Sequence, residues 1–325
     1  MGSDDYAVTT CYLEHLTDED LAFLLDPYGR GGASGDYRSV VRARRGGIEG
    51  LLTQPEVFEA LFVTERSPGP LVQLSPFLAF AVGVERAGQE LRTATYIPEW
   101  VGVGRRTPLF DVPQLQEFMS SPWRRFFLAE LLASYTRVAS GSVLVATRRG
   151  FRRQRFSELD PVRLAALLDV VPEAERPGIL RRLGDLALFL TGVFPDYVAR
   201  HGFGPVDQGR LLRSSMLAAG PPRKAPAAGM RPDTGGGNIG GAGMNKASLD
   251  GGSLDGGGDA VALLAQLGRR WYQAAFRLLP GPVPANVAVI SEMPERFHDA
   301  RRVLGVIAER LLFPHREHWF GIGSG

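Results

Sequence analysis

Cysteine is nearly absent, since Cys11 is the single one in 325 residues. That excludes a disulfide within the chain and a zinc site built on cysteines, and it fits a reducing, cytoplasmic compartment. Lysine is almost as scarce, occurring only at Lys224 and Lys246, so arginine carries nearly all the positive charge. The formal net charge is only +2, so no global field favours nucleic acid or an anionic membrane. No apolar run reaches the roughly 18 residues that indicate a membrane-spanning helix. The chain opens MGSDDY, without a basic segment and an apolar run behind it, so no signal peptide is expected. No G-x-S-x-G elbow occurs, and no serine–histidine–acid set is legible.

What is present is apolar substance and helical patterning. With 44% apolar residues, the chain can bury a proper core as one large domain or two ordinary ones. The central feature runs from Ile179 to Arg200. Between Leu186 and Phe194 only Thr191 and Gly192 are not apolar, which predicts a helix buried on most of its circumference. At about 100° per residue, Leu183, Ala187, Leu190 and Phe194 share one face. Asp185 lies roughly opposite, and Gly192 returns to nearly its direction. A glycine inside a helix costs about 1 kcal/mol against alanine, so a close neighbour is expected at Gly192. Pro195 should end or kink the helix.

Start signals elsewhere are plain: Thr17 before three acids, Ser75-Pro76, Ser121-Pro122 and Asp160-Pro161. Residues 36 to 66 read as two or three short helices broken at Gly46-Gly47 and near Pro55. Residues 94 to 114 look irregular, with short extended pieces. Residues 142–157 read as a β-hairpin around an Arg-Gly turn. The helix after Ser121 is expected to run through WRRFFLAELLASYTRV, residues 123–138, ending before Gly141. After His201 the pattern loosens, and residues 220–258 are too rich in glycine, alanine and proline to offset their ordering entropy, so a disordered loop is expected. Two C-terminal helices follow, near 259–279 and 292–313, joined by an extended segment. Their apolar stripes require a partner, and the central helix is the natural one.

Several motifs are candidates for chemistry. Asp185 is either a buried acid in a pocket or, more plainly, a partner of Arg181 one turn earlier. Glu130, Ser134 and Arg137 share a helical face, which reads as a polar pocket wall or as a solvated stripe. The hairpin carries Arg148, Arg149, Arg152, Arg153 and Arg155, a set that could follow a phosphate backbone, although strand alternation puts some on opposite faces. Gly235, Gly237 and Gly240 match G-x-G-x-x-G, but no strand precedes them, so a flexible linker is the reading. Glu295 and His298 have the E-x-x-H spacing of a metal helix without the second pair that a di-metal site needs. His315 and His318 sit beyond the last helix, where cationic groups are common for dipole reasons alone.

The segments RRFFLAELLASYTRVASG and RRLGDLALFLTGVFPDYV resemble a group of uncharacterised bacterial proteins, mainly actinobacterial. The shared pattern is Leu-Gly-Asp-x-Ala-Leu followed by Gly-x-Phe, here Leu183, Gly184, Asp185, Ala187, Leu188, Gly192 and Phe194. The segment ERFHDARRVL also looks like theirs. The resemblance implies a helical cytoplasmic protein and brings no activity, cofactor or catalytic residue.

The expectation is therefore a mainly α, multi-helix globular bundle with one small β-hairpin and a long disordered glycine-rich loop. Residues 1–219 would form a helical body, 220–258 a flexible insertion, and 259–325 helices packing on the same body. The expected function is a non-enzymatic interaction or regulatory role with an unidentified protein partner, without cofactor, metal or membrane. The alternatives are an enzyme or small-ligand binder with an inter-helix site near Asp185 and the Glu130, Ser134 and Arg137 stripe, and nucleic-acid binding through the basic hairpin.

Overall fold

A computed structural model describes residues 3–29, 35–44, 46–64, 73–147, 150–217, 256–279, 281 and 283–314. The chain begins with helix α1 (Ser3–His15) and α2 (Asp18–Leu25). At α2, Thr17 and Asp20 form a reciprocal capping box, the arrangement that satisfies two of the N-terminal donors at once. The second oxygen of Asp20 accepts the Ser75 N–H at 2.8 Å, so one buried carboxylate ends one helix and begins another. The expected short helices follow as α3 (Tyr37–Ala43), α4 (Gly47–Leu52) and α5 (Pro55–Phe58), the last prolonged by a π-helical turn, Glu59–Val63. Helix α6 (Pro76–Thr93) starts at the Ser75 cap.

Residues 97–109 correct the expectation of an irregular stretch and of a single hairpin. Strands β1 (Ile97–Gly102) and β2 (Arg105–Leu109) pair antiparallel around Gly104, whose φ of +66° suits glycine. Helices α7 (Val112–Ser120) and α8 (Pro122–Ser134) lead into the expected hairpin, β3 (Ser140–Thr147) with β4 (Gly150–Ser157). A short α9 (Pro161–Ala165) and two 3-10 turns precede α10 (Arg176–Val193), and α11 (Pro195–His201) starts at the proline that ends it. Residues after His201, expected to be loose, form α12 (Pro205–Leu217). The last helices are α13 (Gly256–Leu278) and α14 (Ala285–Ile307), with a π-helical continuation Ala308–Leu312. The glycine-rich expectation for 220–258 lies outside the described residues up to 255, while 256–258 form the first turn of α13. The described chain is thus mainly helical, with two small antiparallel sheets.

Helix α10 is central to the core. Leu183, Leu186, Ala187 and Leu188 are fully buried, and α13 and α14 pack along it. Glycines let these helices approach. A Cβ on Gly192 would stand 2.8 Å from Leu304 Cβ and 3.1 Å from the Arg301 carbonyl oxygen, so the close neighbour expected there is α14. On Gly268 of α13 it would stand 2.6 Å from the Phe297 ring. The carbon–carbon distances of 2.8 and 2.6 Å are far inside the ~3.5–4.0 Å optimum of carbon contacts.

Helix α14 starts at Ala285 rather than near 292, and Pro294 sits inside it. An interior proline costs about 3 kcal/mol or more in an isolated helix. Here Val289, Ile290 and Met293 before it and Phe297, Ala300 and Leu304 after it bury one continuous stripe, which offsets that cost. The Pro294 carbonyl also accepts Arg269 Nε at 2.6 Å. Among the described residues no helix is long and apolar enough to cross a membrane.

Candidate functional site

Two helical stripes face each other across a gap. Helix α8 carries Phe127, Glu130, Leu131 and Ser134, and α10 carries Gly178, Arg181, Arg182 and Asp185. Each set follows the spacing i, i+3, i+4, i+7, which puts all four residues on one side of its helix. Between them lies an open cleft of about 230 Å³. Polar side chains from the two walls bridge it.

Arg181 spans the gap, with Nη2 donating to Glu130 Oε2 at 3.0 Å. Both side chains are one-third exposed. Arg182 spans it a second time, with Nη1 donating to Ser134 Oγ at 2.7 Å and Nη2 to the Ser134 carbonyl at 3.3 Å. Its Nη2 also donates to Glu158 Oε2 at 3.3 Å, and Glu158 in turn accepts the Ala139 N–H at 2.9 Å. The Arg182 guanidinium lies 4.0 Å above the Tyr135 ring, and that ring stacks on Phe189 at 4.3 Å. A cation over an aromatic face is attracted to its quadrupole, so Arg182 is fixed on three sides.

Asp185 forms the buried end of the site, with 7% of its surface exposed. Tyr272 of α13 donates its hydroxyl to Oδ1 at 2.7 Å, and Arg181 Nε stands 3.7 Å from Oδ2. Burial pushes the Asp185 carboxyl above its usual range, against the pull of Arg181 and of the Tyr272 hydrogen bond. Tyr272 is held well above the ordinary phenol value, first by burial and then by Asp185. Tyr135 is raised for the same two reasons. For Arg181, burial works against the charge, but Asp185 and Glu130 outweigh it and raise the guanidinium further. Among the described residues, the Tyr135 hydroxyl and Arg182 Nε are buried without a hydrogen-bond partner. Such groups are uncommon in folded proteins because each forfeits its hydration. The arrangement can anchor an anion at two guanidinium groups, accept donors at Glu130, and hold a proton at Asp185.

Asp185, Glu130 and Ser134 all line this cleft, and Asp185 makes both the foreseen contact to Arg181 and an unforeseen one to Tyr272. Arg137 is not among them. Helix α8 ends at Ser134 instead of continuing to Val138, so Arg137 leaves the helical phase and stands exposed. Sequence reasoning missed Arg182, Gly178, Phe127 and Leu131, although their spacing from the named residues was the available signal. In the basic hairpin, Arg153 and Arg155 are exposed and share one face of β4, and Arg153 Nε donates to Ser142 Oγ at 2.6 Å. Arg148, Arg149 and the side chain of Arg152 lie outside the described residues, as do Gly235, Gly237, Gly240, His315 and His318.

A second polar cluster clamps β1 and β2 to the body. Glu99 accepts Arg301 Nη2 at 2.6 Å and Arg302 Nε at 2.7 Å. Asp196 accepts Trp100 Nε1 at 2.7 Å, and Arg106 bonds Glu309. The space there is about 30 Å³, enough for a water or two. Beside it, burial and then Arg301, Arg302 and Arg269 hold His298 down to about 4. Cationic surroundings of this kind oppose a metal ion at Glu295 and His298, and no metal-holding group of three ligands occurs among the described residues.

No protein-family model matches this sequence, and neither a curated protein nor a solved structure matches it.

Proposed function

We propose that this chain is a helical binding protein, a bundle around α10 whose α8–α10 cleft takes a small polar ligand. The observation that carries the reading is the gap itself: two matched stripes face each other, yet polar side chains bridge it where apolar ones would close it. Ligand sites of drug size run to about 300–1,000 Å³, so a cleft of about 230 Å³ suits a smaller molecule. This takes up the small-ligand alternative raised from the sequence in place of the role with a protein partner.

Gly178 supplies the test. A Cβ built there meets nothing within 4 Å, so Gly178→Leu extends a side chain into the cleft without disturbing the core. Native mass spectrometry of the freshly purified chain, compared with its denatured mass, is expected to show a bound small molecule that Gly178→Leu lacks. The same adduct on both proteins, or none on either together with no thermal shift from a panel of polar metabolites, would overturn the reading.

A further inference from the structure

We infer that the ligand of the α8–α10 cleft is a zwitterion of amino-acid size, bearing a carboxylate, an ammonium group and an apolar side chain. This rests on the cleft being a ligand site. The argument starts from the Arg181–Glu130 pair, which joins the two walls at 3.0 Å. A ligand entering between the walls has to part it. An anion alone would take Arg181 and leave Glu130 without its cation. A cation alone would take Glu130 and leave Arg181 leaning on Asp185 at 3.7 Å. Separating one partner from a partly buried pair is costly because the other charge stays desolvated and unpaired. A zwitterion inserts into the pair and returns a partner to each half: its carboxylate to Arg181, its ammonium to Glu130. Each half of the pair then keeps a partner of opposite charge, and no charge is stranded.

The remaining walls agree with that ligand. Arg182 faces the cleft, and its anchoring by Ser134, Glu158 and the Tyr135 ring makes it a fixed second donor for a carboxylate. Phe127 and Leu131 supply the apolar wall on α8. Gly178 leaves the opposite side open. The cleft, about 230 Å³, is below the usual size of sites for drug-like ligands and fits a single amino acid better than a nucleotide.

The test uses the full chain and isothermal titration calorimetry with three kinds of probe. L-leucine and L-phenylalanine carry both charges. 4-Methylpentanoate and 3-phenylpropanoate lack the ammonium, and 3-methylbutylamine and phenethylamine lack the carboxylate. At least one of the two amino acids is expected to bind, with each of its truncated forms weaker by roughly tenfold or more, since each parts the partly exposed Arg181–Glu130 pair and replaces only one of its two partners. Arg181→Gln removes the carboxylate's partner and frees Glu130, so it is expected to bring the amino acid down to the level of its amine while the amine binds as well as before or better, a selective loss that general loosening of the fold does not produce. A carboxylate or an amine that binds as tightly as its parent amino acid overturns the zwitterion, as does the failure of both amino acids to bind. In that last case a different adduct, present on the wild type and absent from Gly178→Leu in native mass spectrometry, retains the cleft as a site while rejecting this ligand class. No such adduct removes both.

Discussion

Two glycine-to-alanine substitutions in the same helix should change stability in opposite directions. At Gly178 an added Cβ meets nothing within 4 Å. Alanine there gains helix propensity and restricts the unfolded chain, together about 0.5–1 kcal/mol. At Gly184 the same carbon would lie 2.8 Å from two carbons of the Tyr272 ring. Ordinary contact begins near ~3.5 Å, so the ring must retreat by about 0.7 Å. Its hydroxyl is bound to Asp185 Oδ1 at 2.7 Å, and a shift of that size stretches the bond to the edge of its range or beyond. Overpacking costs about 1–3 kcal/mol, and a weakened buried hydrogen bond adds about 1 kcal/mol. Against the same propensity gain, Gly184→Ala should lose about 1–3 kcal/mol. Urea unfolding followed by tryptophan fluorescence reads both, and a common slope of ΔG against urea makes them comparable. If Gly184→Ala is as stable as Gly178→Ala, Tyr272 does not press on α10 as described, and the buried end of the cleft is wrongly built.

Asp185→Asn should remove a pH dependence. The folded carboxyl lies above the ordinary 3.8, so between those two values the folded chain binds the extra proton and stability falls as pH rises. The stabilising contribution is complete below 3.8 and lost through the folded value. Asparagine does not titrate, so the variant should gain on the wild type as pH rises through that window, and a difference that stays constant from acid to neutral pH in urea unfolding would contradict the raised carboxyl. Glu99→Ala strands Arg301 and Arg302, both with seven-eighths or so of their side chains covered; a loss of about 3–5 kcal/mol is expected, and a double-mutant cycle with Arg302→Ala should recover part of it, whereas strict additivity would deny the coupling. Pro294→Ala restores an interior N–H in α14 but relaxes the unfolded chain by up to about 1 kcal/mol, so a net gain near 1–2 kcal/mol in calorimetric unfolding is expected, and a destabilised variant would show that α14 depends on its proline.

Local pattern decided correctly wherever burial and sequence period agree. The run Leu186–Phe194 is apolar because α10 is enclosed, and Pro195 stops it for reasons contained in the residue itself. Pattern misled where distant packing overrules a local breaker. Pro294 reads as a boundary, yet the stripe on either side of it buries against α10 and α13 and holds the helix together. Pro98 and Pro108 read as irregular chain, yet they stand opposite each other in the β1–β2 register; a two-stranded ribbon has edges on both sides, where a missing N–H is tolerated. The clamp that secures that ribbon, Glu99 with Arg301 and Arg302, joins residues some two hundred positions apart.

The candidate site divides in the same way. Helical phase put Glu130 and Ser134 on one wall, with Asp185 expected near it, but phase holds only while the helix lasts. Helix α8 stops at Ser134 with no glycine or proline to announce it, and Tyr135 leaves helical geometry with φ −94° and ψ 2°, so Arg137 was carried too far. A buried carboxylate announces that it needs a partner. It does not say which one, and Tyr272 is 87 positions away. The neighbouring residue was informative all the same. Gly184, directly before the acid, has no side chain because the Tyr272 ring occupies its place, so a glycine beside a buried acid marks the face from which the partner must come.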